Sequence, residues 1–125
     1  MMELAEQGNS EAQLNLGITY YKGREVTKDH KKAIYWLTKS AEQGHPDAQV
    51  FTGMMYANGH GVNQDYTTAC MWFNISTFSV DPKAKELGSG LVQSLSPLMT
   101  PEQMEVAEQM AKDWVQNFEN KKNAQ

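Results

Sequence analysis

Cysteine is nearly absent from this sequence, since Cys70 is the only one among 125 residues. One thiol cannot form an internal disulfide or build a zinc site alone, so the redox compartment stays undecided. Long apolar runs are missing too, with no stretch near 18 consecutive apolar residues, and we expect no membrane insertion. Basic residues are outnumbered, at 11 Lys and Arg against 15 Asp and Glu, which argues against a nucleic-acid partner.

An internal repeat of 36 residues is the main feature that the sequence does contain. The tetrapeptide AEQG at residues 5–8 recurs at 41–44. When residues 5–40 are laid on 41–76 without a gap, 14 of 36 positions are identical. Such self-similarity at a fixed period indicates duplication of one structural unit.

Each copy of the repeat predicts two helices joined by a short loop. The first helices cover Ser10–Lys22 and Pro46–Asn58, and each is followed directly by a glycine suited to end it. Asp29 and Asp65 are placed to cap the second helices. Hairpins of this kind, stacked side by side, form a solenoid, so we predict an all-α fold.

Small residues recur inside the helices, where they permit close packing. Gly17 and Gly53 occupy equivalent mid-helix positions, although glycine costs about 1 kcal/mol there relative to alanine. We therefore expect two helices to approach closely at each of them. We also assign eight recurring residues to the core: Ala12, Ala33, Ala48, Ala69, Tyr20, Trp36, Tyr56 and Trp72.

The C-terminal third predicts a decayed repeat followed by a capping helix. A helix over residues 82–93 carries Ser89 where the second copy has Gly53, with glycines on both sides. A capping box over residues 100–103 then starts an amphipathic helix that should run to about Phe118 and shield the last open face of the solenoid.

We divide the chain into one helical-repeat domain, residues 1–118, and a tail, 119–125, that we expect to be disordered. Within the domain, the units are a partial repeat 1–8, repeats 9–44 and 45–80, and the degenerate repeat with its capping helix, 81–118. The partial repeat resembles the end of a second helix, which suggests a piece of a longer array. Its uncapped edge would then offer a surface for self-association.

The pattern AEQG, then A…LG..Y..G, V..D…A..W and a second AEQG resembles the Sel-one-like repeat, a branch of the tetratricopeptide-like helical repeats. The resemblance implies right-handed superhelical stacking and a role in assembling protein complexes. It also implies a bacterial protein of the cytoplasm, the envelope or an exported class, without deciding among them. The family's loop motif G-x-G-V is present at residues 59–62, but Glu25 replaces its second glycine in the first copy, so we expect that loop to bend differently.

By resemblance to tetratricopeptide stacks, the first helices line a concave face that offers an apolar floor with polar edges. That arrangement suits an extended peptide or an amphipathic helix of a partner protein. The alternative is that these side chains join the core between hairpins, or that the C-terminal segment covers them. The predicted partner-binding residues are Glu11, Leu14, Ile18, Tyr21, Lys22, Asp47, Val50, Met54, Ala57 and Asn58.

No constellation in the sequence predicts catalysis, a cofactor or a metal. His30, His45 and His60 fall in three different loops or caps, and none is three or four residues from another. Cys70 is predicted to be a buried, inert thiol. We therefore predict a non-enzymatic protein-interaction module. The alternative is a structural or regulatory segment of a longer array, and a β-lactam-hydrolase-like activity, suggested by cysteine-rich relatives, is much weaker because Cys70 cannot form their disulfides.

Overall fold

The computed structural model describes residues 2–124, which form seven α-helices joined by short turns. The helices are α1 (Met2–Glu6), α2 (Ser10–Lys22), α3 (His30–Glu42), α4 (Pro46–Asn58), α5 (Tyr66–Thr77), α6 (Pro82–Leu95) and α7 (Pro101–Asn123), with a 3-10 turn at Ser96–Leu98. They pack as sequential hairpins, which confirms the predicted all-α solenoid. Met1 and Gln125, which belong to the predicted partial repeat and tail, lie outside the described residues.

The caps that the sequence predicts delimit the helices of the two repeats. The Asp29 and Asp65 side chains each accept a hydrogen bond from the backbone N–H three residues later, at 3.1 Å in both cases. Gly23 and Gly59 end α2 and α4 in the left-handed conformation, with φ of 71° and 69°. Because these interactions are local, both copies of the sequence build the same hairpin.

The loop after the first helix bends the same way in both repeats, so the expected difference between them was wrong. Glu25 and Gly61 both have left-handed backbones, with φ of 63° and 78°. At Gly61 a Cβ atom would lie 2.3 Å from the carbonyl oxygen of His30, so the second repeat has no room for a side chain. Glu25 is exposed, so its side chain meets no such obstacle, and the only cost is the backbone strain of the left-handed conformation, about 1–2 kcal/mol.

Each hairpin closes through its mid-helix glycine, as predicted. A Cβ atom at Gly17 would lie 2.7 Å from Leu37 Cγ, and one at Gly53 would lie 2.5 Å from Phe73 Cε1. Both positions would also bring Cβ to 3.2 Å from a backbone carbonyl oxygen of the facing helix. The helix backbones are therefore in direct contact at the two positions where the sequence repeats glycine.

The predicted core is confirmed for the four alanines and for Trp72, all of which are buried. Tyr20, Trp36 and Tyr56 are only partly buried, so their assignment to the interior needs correction. The reason is visible at Trp36 and Trp72, which occupy equivalent positions. Trp72 makes an edge-to-face contact with Trp114 of α7, at 5.7 Å between ring centroids, whereas Trp36 packs on a small cluster at the N-terminal side of the solenoid.

The glutamine of the repeated motif also has a structural role. The Gln13 side chain donates from Nε2 to the carbonyl oxygen of Ala5 at 2.9 Å, and Gln49 donates to Ala41 at 3.3 Å. Both glutamines are buried. Each acceptor lies in the AEQG segment that precedes the helix, so the glutamine ties a helix to the turn before it and satisfies a carbonyl at a helix end.

The third unit departs from the hairpin pattern. Helix α6 packs on α5 through Gly88, where a Cβ atom would lie 2.7 Å from the carbonyl oxygen of Phe73. Helix α7 packs mainly along α5, and Leu95 of α6 and Ala107 of α7 belong to one core cluster with residues of α5. Leu87 on the outer side of α6 remains 52% exposed. The predicted capping helix therefore packs on α5, the second helix of the last complete repeat.

Helix α7 also continues to Asn123, beyond the end expected near Phe118, so the segment 119–123 is helical rather than disordered. No glycine or proline interrupts it, and two lysines in its last turn interact favourably with the helix dipole. Phe118 stacks on Trp114 at 5.0 Å and lies under the Lys122 ammonium at 5.6 Å, which adds contacts near this end.

Among the described helices, none combines the length and the apolar composition needed to cross a bilayer.

Candidate functional site

The residues predicted to face a partner lie on α2 and α4, but not all of them are accessible. Leu14 and Val50 are only 4% and 6% exposed, so their prediction as binding residues was wrong. Leu14 belongs to the main core cluster, as the alternative interpretation of these apolar positions expected. Five of the others are exposed and three are partly buried: Glu11, Lys22, Asp47, Met54 and Asn58 are exposed, and Ile18, Tyr21 and Ala57 are partly buried.

A small cavity of about 80 Å³ lies between the end of α2 and α4. We call it the groove pocket, and its lining residues are Tyr21, Phe51, Met54, Met55, Asn58 and His60. Three of them were among the predicted binding residues, namely Tyr21, Met54 and Asn58. Most of the lining is apolar, and the Tyr21 hydroxyl, the Asn58 amide and the His60 ring supply its polar groups. The pocket can therefore accept an apolar side chain and bond to a polar group beside it.

Phe51, Met55 and His60 line the pocket but were missed by the sequence reasoning. Phe51 and Met55 could have been found, because together with Met54 and Asn58 they follow the spacing of one helical face. His60 could not, because it lies in the loop after α4 and reaches Tyr21 across 39 residues of sequence. The tertiary fold alone brings this loop to α2.

The structure joins two histidines that the sequence had placed in separate loops. His30 begins α3, and its ring lies 4.6 Å from that of His60, between centroids. Tyr21 stacks on His30 at 5.0 Å with an angle of 18° between ring planes, and its hydroxyl oxygen lies 3.3 Å from Nδ1 of His60. These three residues, which we call the imidazole cluster, connect α2, α3 and the loop after α4.

The surroundings of His30 disfavour the charged form of its ring. The pKa of His30 is lowered from its ordinary value, first by burial and then by the neighbouring charges of His60 and Lys28, while Asp29 opposes the shift. Nε2 of His30 is shielded from solvent and has no hydrogen-bond partner. The N-terminal end of α3 also disfavours a positive charge, because the helix dipole is positive there.

A second contact between repeats involves the remaining histidine. Nε2 of His45, the residue before α4, lies 2.7 Å from Oε2 of Glu11 on α2. Glu11 was predicted to contact a partner, and its carboxylate remains largely exposed while it makes this contact. The pair therefore joins the first turns of α2 and α4 at the edge of the predicted binding face.

The other potentially reactive side chains have structural roles. Cys70 is buried, as predicted, and burial raises the pKa of its thiol, which keeps the sulfur protonated. The Thr68 side chain and backbone bond to Asp65 and lower the pKa of that carboxyl, as suits a helix cap. Residues 2–124 contain no group of three or more His, Cys, Asp or Glu side chains arranged for a metal ion.

Comparison with known proteins links these features to one repeat family. The family model of the Sel1 repeat matches residues 10–45 and 46–76, more than half of the chain. No curated protein matches the sequence.

Two bacterial crystal structures resemble the fold. One is a protective antigen present in uropathogenic Escherichia coli strains, which displays an SLR fold. It is 31% identical over 91% of this chain, with a TM-score of 0.82. The other is a Sel1 repeat protein from Oxalobacter formigenes, 35% identical over 66% of this chain, with a TM-score of 0.62. This chain spans only 24% of the first structure's chain and 34% of the second's.

Proposed function

Because this chain belongs to the Sel1 repeat family, we propose that it is a protein-interaction module that holds a segment of a partner protein on its concave face. The groove pocket carries the proposal. It lies between the first helices of two consecutive hairpins, where an extended segment would cross both repeats. The partner segment would place one apolar side chain in the pocket and lie across Met54 and the polar residues around it.

The dimensions of the pocket favour a peptide anchor over a small-molecule ligand. Sites for drug-sized molecules usually enclose about 300–1,000 Å³, whereas the groove pocket encloses about 80 Å³. A cavity of that size suits a single side chain, and interfaces commonly derive most of their affinity from a few such anchors. Met54 is 40% exposed, and its flexible side chain can adjust to the shape of an anchor.

The polar groups around the groove pocket suit a peptide backbone. The exposed Asn58 amide both donates and accepts hydrogen bonds, and the His60 ring provides a further polar contact. Lys22 and Asp47, exposed residues of α2 and α4, add charges of both signs elsewhere on the predicted binding face. This mixture favours a segment of apolar and polar residues over a strongly charged one. A module of this size should bind it at roughly micromolar strength, about −8 kcal/mol.

Selection from a displayed peptide library, with this protein immobilised, tests the proposal. The Met54→Glu variant should bind the selected peptides about tenfold or more weakly, a loss of about 1.4 kcal/mol of binding free energy. The reason is that the peptide would bury the new charge against apolar atoms. The matched control is Val106→Glu, which changes an exposed apolar residue of α7 outside the pocket. Both variants should keep the helical circular dichroism of the parent. Equal binding to the parent and to both variants would remove the groove pocket from the function.

A second candidate is a structural or regulatory segment of a longer array, and the 24% coverage of the Escherichia coli antigen favours it. The N-terminal side also exposes Leu4 and Tyr35 beside the partly buried Trp36, apolar surface that further repeats or a second copy would cover. In this case the peptide selection would enrich no sequence that depends on Met54. Both proposals are non-catalytic, and the buried, protonated Cys70 thiol supports that view.

A further inference from the structure

The imidazole cluster lies where it can control the groove pocket. His60 belongs to both, since its ring contacts His30 and also lines the pocket, and Tyr21 does the same from α2. A change in the cluster therefore moves two walls of the pocket at once.

The loop that carries His60 is held against α3 by the backbone of its neighbour. Gly61 lies so close to the carbonyl group of His30 that a Cβ atom would be within 2.3 Å of the oxygen. Val62, the next residue, packs on the main core cluster. The loop, the start of α3 and the pocket therefore form one contact region, and a displacement of the His30 ring acts on all three.

The contacts within the cluster suit neutral rings and oppose charged ones. Two uncharged imidazoles stack favourably at the observed separation, whereas two imidazolium ions there repel each other. The other charges that face His30 are the Lys28 ammonium, which adds to the repulsion, and the Asp29 carboxylate, which reduces it. From α2 the cluster receives only the uncharged Tyr21, and Asn58 is the neighbouring polar residue from α4.

We propose that Tyr21, His30 and His60 form a pH-sensitive contact that holds the loop over residues 59–65, and with it the His60 wall of the groove pocket, in place at neutral pH. In mildly acidic conditions, protonation of the histidine pair separates the rings, releases the loop from α3 and displaces that wall. Histidine is suited to this role because its ordinary titration range lies between pH 5 and 8. The effect on partner binding rests on the proposed function, whereas the release of the loop does not.

The sign of the effect follows from the His30 environment. Its pKa in the folded protein lies below the unfolded value, so the closed cluster binds fewer protons than the opened one. The closed form is therefore fully favoured above the unfolded value of about 6.5, and it loses stability as the pH falls through the folded value.

NMR titration of the histidine ring C–H signals in the unaltered protein, from pH 8 to 5, tests the proposal directly. His30 should titrate below the ordinary value of about 6.5. Over the same range the amide protection factor of Asp65, whose N–H donates to the carbonyl oxygen of Tyr56 across the loop at 2.9 Å, should fall severalfold. The Arg24 amide, which donates to the carbonyl oxygen of Thr19 in the equivalent loop, is an internal control, because that loop has the same backbone bend but carries Arg24 in place of His60. Its protection should not follow the histidine titration.

Two variants separate the cluster from the rest of the molecule. His60→Gln keeps a polar partner for Tyr21 but removes one titrating group. The titration of His30 should therefore move to higher pH, and most of the pH dependence of protection at the Asp65 amide should disappear. His45→Gln is the matched control, because His45 contacts Glu11 and not the cluster. It should leave both measurements unchanged.

The proposal fails if His30 titrates at or above the ordinary value, or if protection at the Asp65 amide falls equally in the parent and in His60→Gln. Peptides selected on the groove pocket give a separate result, since they should bind more weakly at pH 5.5 than at pH 7.5 in the parent, and equally at both in His60→Gln. Failure of the peptide selection would overturn the proposed function and leave the titration intact, whereas failure of the titration would overturn only the pH-sensitive contact.

Discussion

Substitution of Gly53 by alanine tests the claim that the repeat is built on direct contact between helix backbones. The new Cβ atom would lie 2.5 Å from Cε1 of Phe73 and 3.2 Å from the carbonyl oxygen of Ala69. The Phe73 ring is only 2% exposed and has little space into which to move. The carbonyl belongs to the backbone of α5, so relief of the clash requires the two helices to separate.

The expected cost combines two opposing terms. Alanine gains about 1 kcal/mol over glycine inside a helix, whereas forcing an extra methyl group into a packed interior costs about 1–3 kcal/mol. The contact is shorter than real side chains tolerate and falls partly on backbone, so the upper end of that range applies. Gly53→Ala should therefore destabilise the protein by about 2 kcal/mol.

The chain offers a matched control in Gly90→Ala. Gly90 also lies inside a helix, α6, but a Cβ atom there would have nothing within 4 Å. Only the gain in helix propensity remains, so this variant should be stabilised by about 0.5–1 kcal/mol. Chemically identical substitutions should therefore have opposite signs at the two positions.

Urea denaturation followed by circular dichroism at 222 nm measures both changes, with equal m-values required for a comparison of stabilities. A Gly53→Ala variant as stable as the parent would refute the reasoning, because it would mean that α4 and α5 do not approach as closely as the structure shows. Destabilisation by Gly90→Ala would also refute it, because the reasoning requires that a Cβ atom at Gly90 meets no neighbouring atom.

Two further predictions concern polar groups of the repeat. Urea denaturation should show that Gln13→Met lowers the free energy of unfolding by about 2 kcal/mol and Gln49→Met by about 1 kcal/mol. The difference is expected because Gln13 also accepts a hydrogen bond from Gln43 at 2.7 Å. Equal losses would contradict the assigned roles. Asp65→Ala should cost about 1 kcal/mol at pH 7 as a lost helix cap. Thr68 lowers the pKa of the Asp65 carboxyl in the folded state, so this loss of stability should shrink as the pH falls from about 3.9 through the folded value. If the parent and Asp65→Ala differ as much in stability at pH 2.5 as at pH 7, the carboxylate is not the source of the stabilisation.

The repeat and its helix caps were predicted correctly because their determinants are close together in sequence. A cap depends on a side chain and a backbone group about three residues apart, and both copies contain the same residues at those positions. The glycines at positions 17 and 53 were equally informative, since a residue that weakens a helix recurs only where something else compensates. The compensation is the close packing of Leu37 and Phe73 against the two glycines.

The lining of the groove pocket was predicted only in part, because helical spacing identifies a side of a helix but not what lies against it. Met54 and Asn58 line the pocket, whereas Leu14 and Val50, on the same predicted face, are covered by neighbouring helices. A similar limit applies to Trp36 and Trp72. They occupy equivalent positions of the repeat but differ in burial, because α7 supplies Trp114 to only one of them.

The amino-acid sequence by itself determined that this protein is a stack of helix hairpins, where the helices of the two repeats begin and end, and which small residues allow the hairpins to close. These features follow from interactions within a few residues and from their repetition at a fixed period. The tertiary structure alone decided that α7 covers α5, that His30 meets His60, and that a pocket opens between α2 and α4. Those contacts join residues far apart in the chain, and no local pattern records which distant side chains will meet when the repeats stack.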